Sequence, residues 1–171
     1  MKRTLTYERL ADEFVSRLEA SSRDRFVMKE LLHCRECELS NRPNVHPIFY
    51  QLLPAEFHGQ ERIEKACFLV ATNFPVSPRR ASASFGVSLR EFAKWCDGGE
   101  RYAKAVLNAL RKSSLDSISY YLAHTLAWMG IYHVPIDWRQ LLVDLLRWEE
   151  AGRPVQRQWA RDFAGGMGQS D

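Results

Sequence analysis

Apolar residues in this chain recur at three- and four-residue intervals almost from end to end, and hardly anywhere at alternate positions. The first rhythm lays an apolar stripe along one side of a helix, whereas the second would lay it on one face of a strand. Tyr7, Leu10, Ala11, Phe14, Val15 and Leu18 form one stripe, and Val27, Leu31 and Cys34 form another. Ile63, Ala66, Cys67, Val70 and Phe74 follow, then Tyr102, Val106 and Leu110. Leu115, Ile118, Leu122, Thr125, Leu126 and Met129 make a long stripe, and Trp138, Leu141, Leu142, Leu145 and Trp148 the next. Such patterning offers no sheet to build, so the expected fold is all-α, a compact protein of eight or nine helices in two lobes. At 171 residues, a chain buries roughly 70% of its unfolded surface, enough for a core without metal or disulfide support.

Punctuation residues set the expected boundaries. Ser22 is placed to cap the second helix and Ser114 to open the long one, while Asp137 with Gln140 reads as a capping box. A short helical piece through Ile48, Phe49, Leu52 and Leu53 should stop at Pro54. Residues 75–86 (PVSPRRASASFG) have no periodicity and read as a linker between an N-terminal helical lobe, 1–74, and a C-terminal one, 87–165. Gly152 should end the helix that contains Trp148, and Pro154 suits the first turn of the next. Gly165-Gly166 should close that last helix, leaving 166–171 as a disordered tail.

The net charge of +3 conceals an uneven distribution. Residues 1–57 carry nine basic and nine acidic side chains, residues 58–114 ten and five, and residues 115–171 five and seven. The middle third is therefore suited to an anionic partner. Its run comprises Arg79, Arg80, Arg90, Lys94, Arg101, Lys104, Arg111 and Lys112. The last helix adds Arg153, Arg157 and Arg161 at i, i+4 and i+8, about 200° around the helix from Val155, Trp159 and Phe163. Such a ladder serves either salt bridges to another helix or contacts with phosphates, for which the planar guanidinium is well suited. A broad basic surface tracks a phosphate backbone better than it reads base edges.

Chemistry has little foothold. No Gly-rich phosphate loop, H-E-x-x-H or G-x-S-x-G occurs, and the five histidines lack ligand-like spacing, so no enzyme is expected. Cys34 and Cys37 have a spacing that can share a zinc ion, with His46 or His58 to complete the set. A structural zinc site usually has a second close pair, however, and Cys67 and Cys96 are isolated. Cys34 also falls on an apolar stripe, so core packing accounts for it and no metal or other cofactor is expected. No N-terminal apolar run and no stretch of eighteen apolar residues is present, which predicts a cytoplasmic chain without a signal peptide or membrane span.

Four segments in this order, spread over nearly the whole chain, resemble a known family. They are Ile48-Phe49-Tyr50-Gln51-Leu52-Leu53, Gly86-Val87-Ser88-Leu89, Ile136-Asp137-Trp138 with Leu141 to Trp148, and Val155-Gln156-Arg157-Gln158-Trp159-Ala160-Arg161-Asp162-Phe163. The family is the CasB small subunit of Cascade, the type I-E CRISPR RNA-guided surveillance complex of antiviral defence. The resemblance implies a non-catalytic, all-helical subunit that binds DNA backbone and stabilises the R-loop. The partners it implies are the backbone and large subunits of Cascade, a second copy of the chain, the target and displaced DNA strands and, indirectly, the guide RNA. Carried over residue by residue, Arg35 matches a basic position before the Phe-Tyr segment, Arg90 the position after Gly-x-Ser-Leu, and Arg101 the arginine opening the next helix. Arg153 and Arg157 match a basic stretch after the tryptophan segment. The chain departs from the family where Leu122-Ala123-His124 replaces a basic cluster, and Arg111 with Lys112 are candidates to substitute. Candidate nucleic-acid-binding residues are thus Arg35, Arg90, Arg101, Arg111, Lys112, Arg153, Arg157 and Arg161. The alternative is a helical adaptor whose arginines pair with protein carboxylates; a zinc enzyme would rest on Cys34 and Cys37 alone.

Overall fold

The computed structural model describes residues 2–35, 37–76 and 83–165. Among these residues it contains nine α-helices and no β-strand, the all-α architecture expected from the periodicity. The helices are α1 (Lys2–Ser21), α2 (Arg25–His33), α3 (His46–Leu52), α4 (Glu61–Asn73) and α5 (Phe85–Trp95). They continue with α6 (Gly99–Lys112), α7 (Ile118–Ile131), α8 (Trp138–Leu146) and α9 (Pro154–Ala164). No helix among the described residues is long and apolar enough to cross a membrane.

Local chemistry places several helix ends elsewhere than expected. Asp24, not Ser22, caps α2: its Oδ1 accepts from the amides of Phe26 at 3.0 Å and Val27 at 3.2 Å. A carboxylate next to the first turn also complements the helix dipole, whereas the Ser22 hydroxyl donates back to the Glu19 carbonyl. Ser114 opens a turn rather than a helix, because its amide donates to Ser117 Oγ at 3.0 Å and α7 begins only at Ile118. Asp137 caps α8 through the Gln140 amide at 2.9 Å. The Gln140 side chain does not close the box; it donates at 2.8 Å to the buried carboxylate of Asp144, which needs donors more. Helix α8 ends at Leu146, so Gly152 (φ 77°) lies in the turn beyond it, while Pro154 opens α9 as expected. Helix α5 includes Phe85 and Gly86, the last two residues of the expected linker. Residues 77–82 of that linker, with Arg79 and Arg80, and the expected tail 166–171 lie outside the described residues.

Buried stripes assemble the helices into one connected core. Leu10, Ala11, Phe14, Val15 and Leu18 of α1 are buried, and α1 rests on α3 and α8. Each large apolar side chain contributes roughly 1.5–3 kcal/mol when fully removed from water. Helix α4 lies among α2, α7 and α8, and all its residues from Ala66 to Asn73 are buried. In the second half, α5 packs between α6 and α9, and α6 also meets α7. Backbones come especially close at the α5–α9 seam. A Cβ at Gly86 would stand 2.3 Å from the Trp159 carbonyl oxygen and 2.8 Å from its Cα, so only glycine lets these backbones meet. Phe85 and Trp148 lie against Trp159 at centroid distances of 4.6 and 4.9 Å.

Candidate nucleic-acid interface

The arginines divide by whether they hydrogen-bond to carbonyls of the fold, and two that do, Arg62 and Arg153, are also exposed to solvent. Four reach the C-terminal ends of helices, where carbonyls lack intrahelical donors and the helix dipole favours a cation. Arg17 Nη1 donates to the carbonyls of Gln51 and Leu52 at the end of α3, at 3.2 and 3.4 Å. Arg62 Nη2 donates to Leu146 O at the end of α8, at 3.0 Å. Arg90 Nη1 donates to Asp162 O near the end of α9, at 2.8 Å. Arg153 Nη1 donates to Arg111 O at 2.8 Å and Ser113 O at 3.4 Å, closing α6. Trp148 Nε1 donates to the same Ser113 oxygen at 2.9 Å.

This device locates two of the eight candidates. Arg90 is a half-buried tie between α5 and α9, its Nε 4.0 Å from Glu91. Arg153 does not start a helical ladder: it precedes α9 in the left-handed region (φ 49°) with its guanidinium turned onto α6. The ladder on α9 thus has two helical rungs, Arg157 and Arg161, both exposed; Arg161 also donates to Gln158 at 2.8 Å. Arg101, Arg111 and Lys112 are exposed on the outer side of α6. Through Arg153, the end of α6 and the start of α9 meet, so Arg111, Lys112 and Arg153 share one corner. Arg101 lies ten residues earlier on α6, roughly 15 Å away along the axis. Arg35 follows α2 and lines a separate cavity of about 420 Å³, whose charge is mixed by Glu61, Glu64, Lys65 and Asp116.

The cysteines have structural surroundings. Cys34 is buried, and burial raises its thiol pKa, with the neighbouring Cys37 acting in the same direction. Cys37 Sγ accepts from Arg42 Nε at 3.3 Å. The imidazoles of His46 and His58 lie 2.7 and 2.9 Å from the carbonyls of Leu39 and Leu53. Among the described residues, no three His, Cys, Asp or Glu side chains are gathered as a metal ion would require.

One surface escaped the sequence reading. Helix α7 contains no Asp, Glu, Lys or Arg, and it leaves Tyr120 (61%), Trp128 (44%) and Ile131 (71%) exposed to solvent, with Tyr121 beside them. Between α6 and α7 runs an open groove of about 390 Å³, lined by Tyr102, Ala105, Tyr120, Tyr121, His124 and Trp128 among others. The signal was available in the sequence: apolar residues on all sides of one helix cannot all face one core.

Comparison with known proteins places the chain. Residues 30–163 match the sequence model of the family described as CRISPR-associated protein Cse2. Among solved structures, a chain of a CRISPR RNA-guided surveillance complex is similar with a TM-score of 0.77 and 23% identity, over 93% of this chain and 94% of that one. A Cse2-family CRISPR-associated protein from Thermus thermophilus gives 0.77 and 22%, over 91% and 97%. A structure of CasB from Thermus thermophilus gives 0.68 and 20%, also over 91% and 97%. No curated protein sequence matches.

Proposed function

The chain belongs to the Cse2 family of CRISPR-associated proteins, and from that premise we propose that it is a non-catalytic subunit of a type I-E RNA-guided surveillance complex, binding DNA backbone and stabilising the R-loop. The observation that carries the reading is the set of exposed cations, Arg101, Arg111 and Lys112 on α6 with Arg157 and Arg161 on α9. They differ from Arg17, Arg62, Arg90 and Arg153, each of which also donates to a carbonyl at a helix end. Exposed guanidinium and ammonium groups hold phosphates by charge and carry no sequence preference of their own. Exchange of a DNA duplex for a guide heteroduplex is nearly balanced, so a few backbone contacts suffice to tip it. Its partners under this reading are the other subunits of the complex, a second copy of the chain, and the two DNA strands.

Replacing Arg101, Arg111, Lys112 and Arg157 together by Ala in the reconstituted complex tests the reading. Assembly should survive, because these side chains lie outside the core, while opening of the target duplex, read from chemical reactivity of its separated strands, should fall several-fold. Unchanged opening in an intact complex would contradict it. In the alternative, adaptor reading these cations pair with carboxylates of neighbouring subunits. It is favoured instead if the fourfold variant drops out of the complex.

A further inference from the structure

The groove between α6 and α7 is open to solvent. Its walls are aromatic: Tyr102 and Trp128 stack with an interplanar angle of 17° at 5.6 Å, and Tyr120 faces His124 at 4.5 Å. None of its lining residues carries a formal charge, and the cations come from farther along α6. Ala105 lines the groove, and Arg101 lies one turn before it on the same face of α6, with Asn108 and Lys112 one and two turns after. None of the lining residues is acidic, and α7 contributes no carboxylate along its whole length.

Flat rings with no formal charge, with Arg101 and Lys112 on the same helix as one wall, are complementary to single-stranded nucleic acid. Bases stack on aromatic side chains whatever their identity, and the backbone follows the cations. We propose that this groove takes separated bases of single-stranded DNA, stacked on Trp128 and Tyr120, while Arg101 and Lys112 hold the flanking phosphates. The inference rests on the DNA-binding reading above and adds base contacts to it. The groove also differs from the mixed-charge cavity at Arg35, where Glu61, Glu64 and Asp116 would repel a phosphate. An apolar protein segment is the competing occupant, and the dependence of binding on bases separates the two.

The test uses the full chain and three probes of equal length: a thymidine oligonucleotide, an abasic deoxyribose-phosphate strand, and a duplex. All three present phosphates, but only the first presents free base faces. The wild-type chain should bind the thymidine strand at least about fivefold more tightly than the abasic strand for one stacked base, and more for two. The Tyr120→Ala/Trp128→Leu variant should lose that preference while keeping its affinity for the abasic strand, and Trp95→Ala, exposed outside the groove, should retain it. Equal binding of thymidine and abasic strands by the wild-type chain overturns the base-stacking inference and leaves backbone binding standing. Binding of none of the probes overturns both. If Tyr120→Ala/Trp128→Leu keeps the preference for bases but leaves the reconstituted complex, the groove is a seat for protein and the inference falls.

Discussion

The α5–α9 seam and the α6–α7 groove are both lined by aromatic rings, and they use them in opposite ways. In the seam, Phe85, Trp148, Trp159 and Phe163 are buried, and Gly86 lets its backbone touch that of Trp159. The polar groups there are drawn inward too: Trp159 Nε1 donates to Asp144 at 2.6 Å, Ser84 to Asp162, and Arg90 to the Asp162 carbonyl. In the groove, Tyr120 and Trp128 remain in water, and Arg101 and Lys112 on α6 are exposed. Neither aromatic content nor basic content separates a structural seam from a binding surface. What separates them is whether the surrounding chain already supplies partners.

The largest effect expected from breaking this contrast is at Gly86. Gly86→Ala drives a Cβ into the Trp159 backbone, which has no flexible side-chain end to move aside. Overpacking of this kind costs about 1–3 kcal/mol or more, so thermal unfolding should fall by roughly 2–12 °C or the chain should fail to fold. The matching change in the groove, Tyr120→Ala, should alter stability by less than about 0.5 kcal/mol, as for other exposed positions. Equal losses from the two substitutions would erase the distinction between seam and groove.

A smaller effect is expected at Asp144, the buried carboxylate of the seam. Burial raises its pKa to about 6, against the pull of the hydrogen bonds from Trp159 and Gln140 and of the nearby Arg147 charge. An unfolded aspartate titrates near 3.9, so between about pH 4 and pH 6 the folded chain binds this proton and the unfolded chain does not. Its contribution to stability is therefore fully present below about pH 4 and is lost as pH rises through about 6. Asp144→Asn removes the titration and keeps an oxygen to accept from Trp159. Relative to wild type, the variant should gain stability as pH is raised from 4 to 7 in denaturant unfolding. Parallel curves would mean that Asp144 is not held in this way.

The sequence carried the fold well and the site unevenly, for reasons visible in single residues. Apolar stripes survive into structure because burial depends on side-chain spacing, and Leu10 to Leu18 or Trp138 to Leu145 are buried as the pattern required. Caps were legible where a carboxylate sits directly before a helix, as at Asp137, and misread where two candidates compete, as at Ser22 and Asp24. The family resemblance matched the family whose sequence model covers residues 30–163. The arginines were the hard part. Arg153, Arg157 and Arg161 have identical helical spacing, yet the left-handed backbone at Arg153 turns the first onto α6. Nothing in local sequence reports that the end of a helix some 40 residues away needs a donor. The groove was missed because Tyr102 on α6 and Trp128 on α7 come together only through tertiary packing.

The central question is whether the exposed cations of α6 and α9 meet phosphate. The direct measurement is the affinity of the full chain for single-stranded DNA across a series of salt concentrations, for wild type and for the Arg101/Arg111/Lys112/Arg157→Ala variant. Each phosphate contact contributes about −0.7 to the slope of log affinity against log salt, so four contacts should make the wild-type slope steeper by about 2.8. The variant should lose that increment at every sequence tested, while Arg90→Ala should lower stability and leave the slope of the remaining folded chain in place. An identical slope for wild type and fourfold variant would contradict DNA-backbone binding by these cations and leave them to protein neighbours.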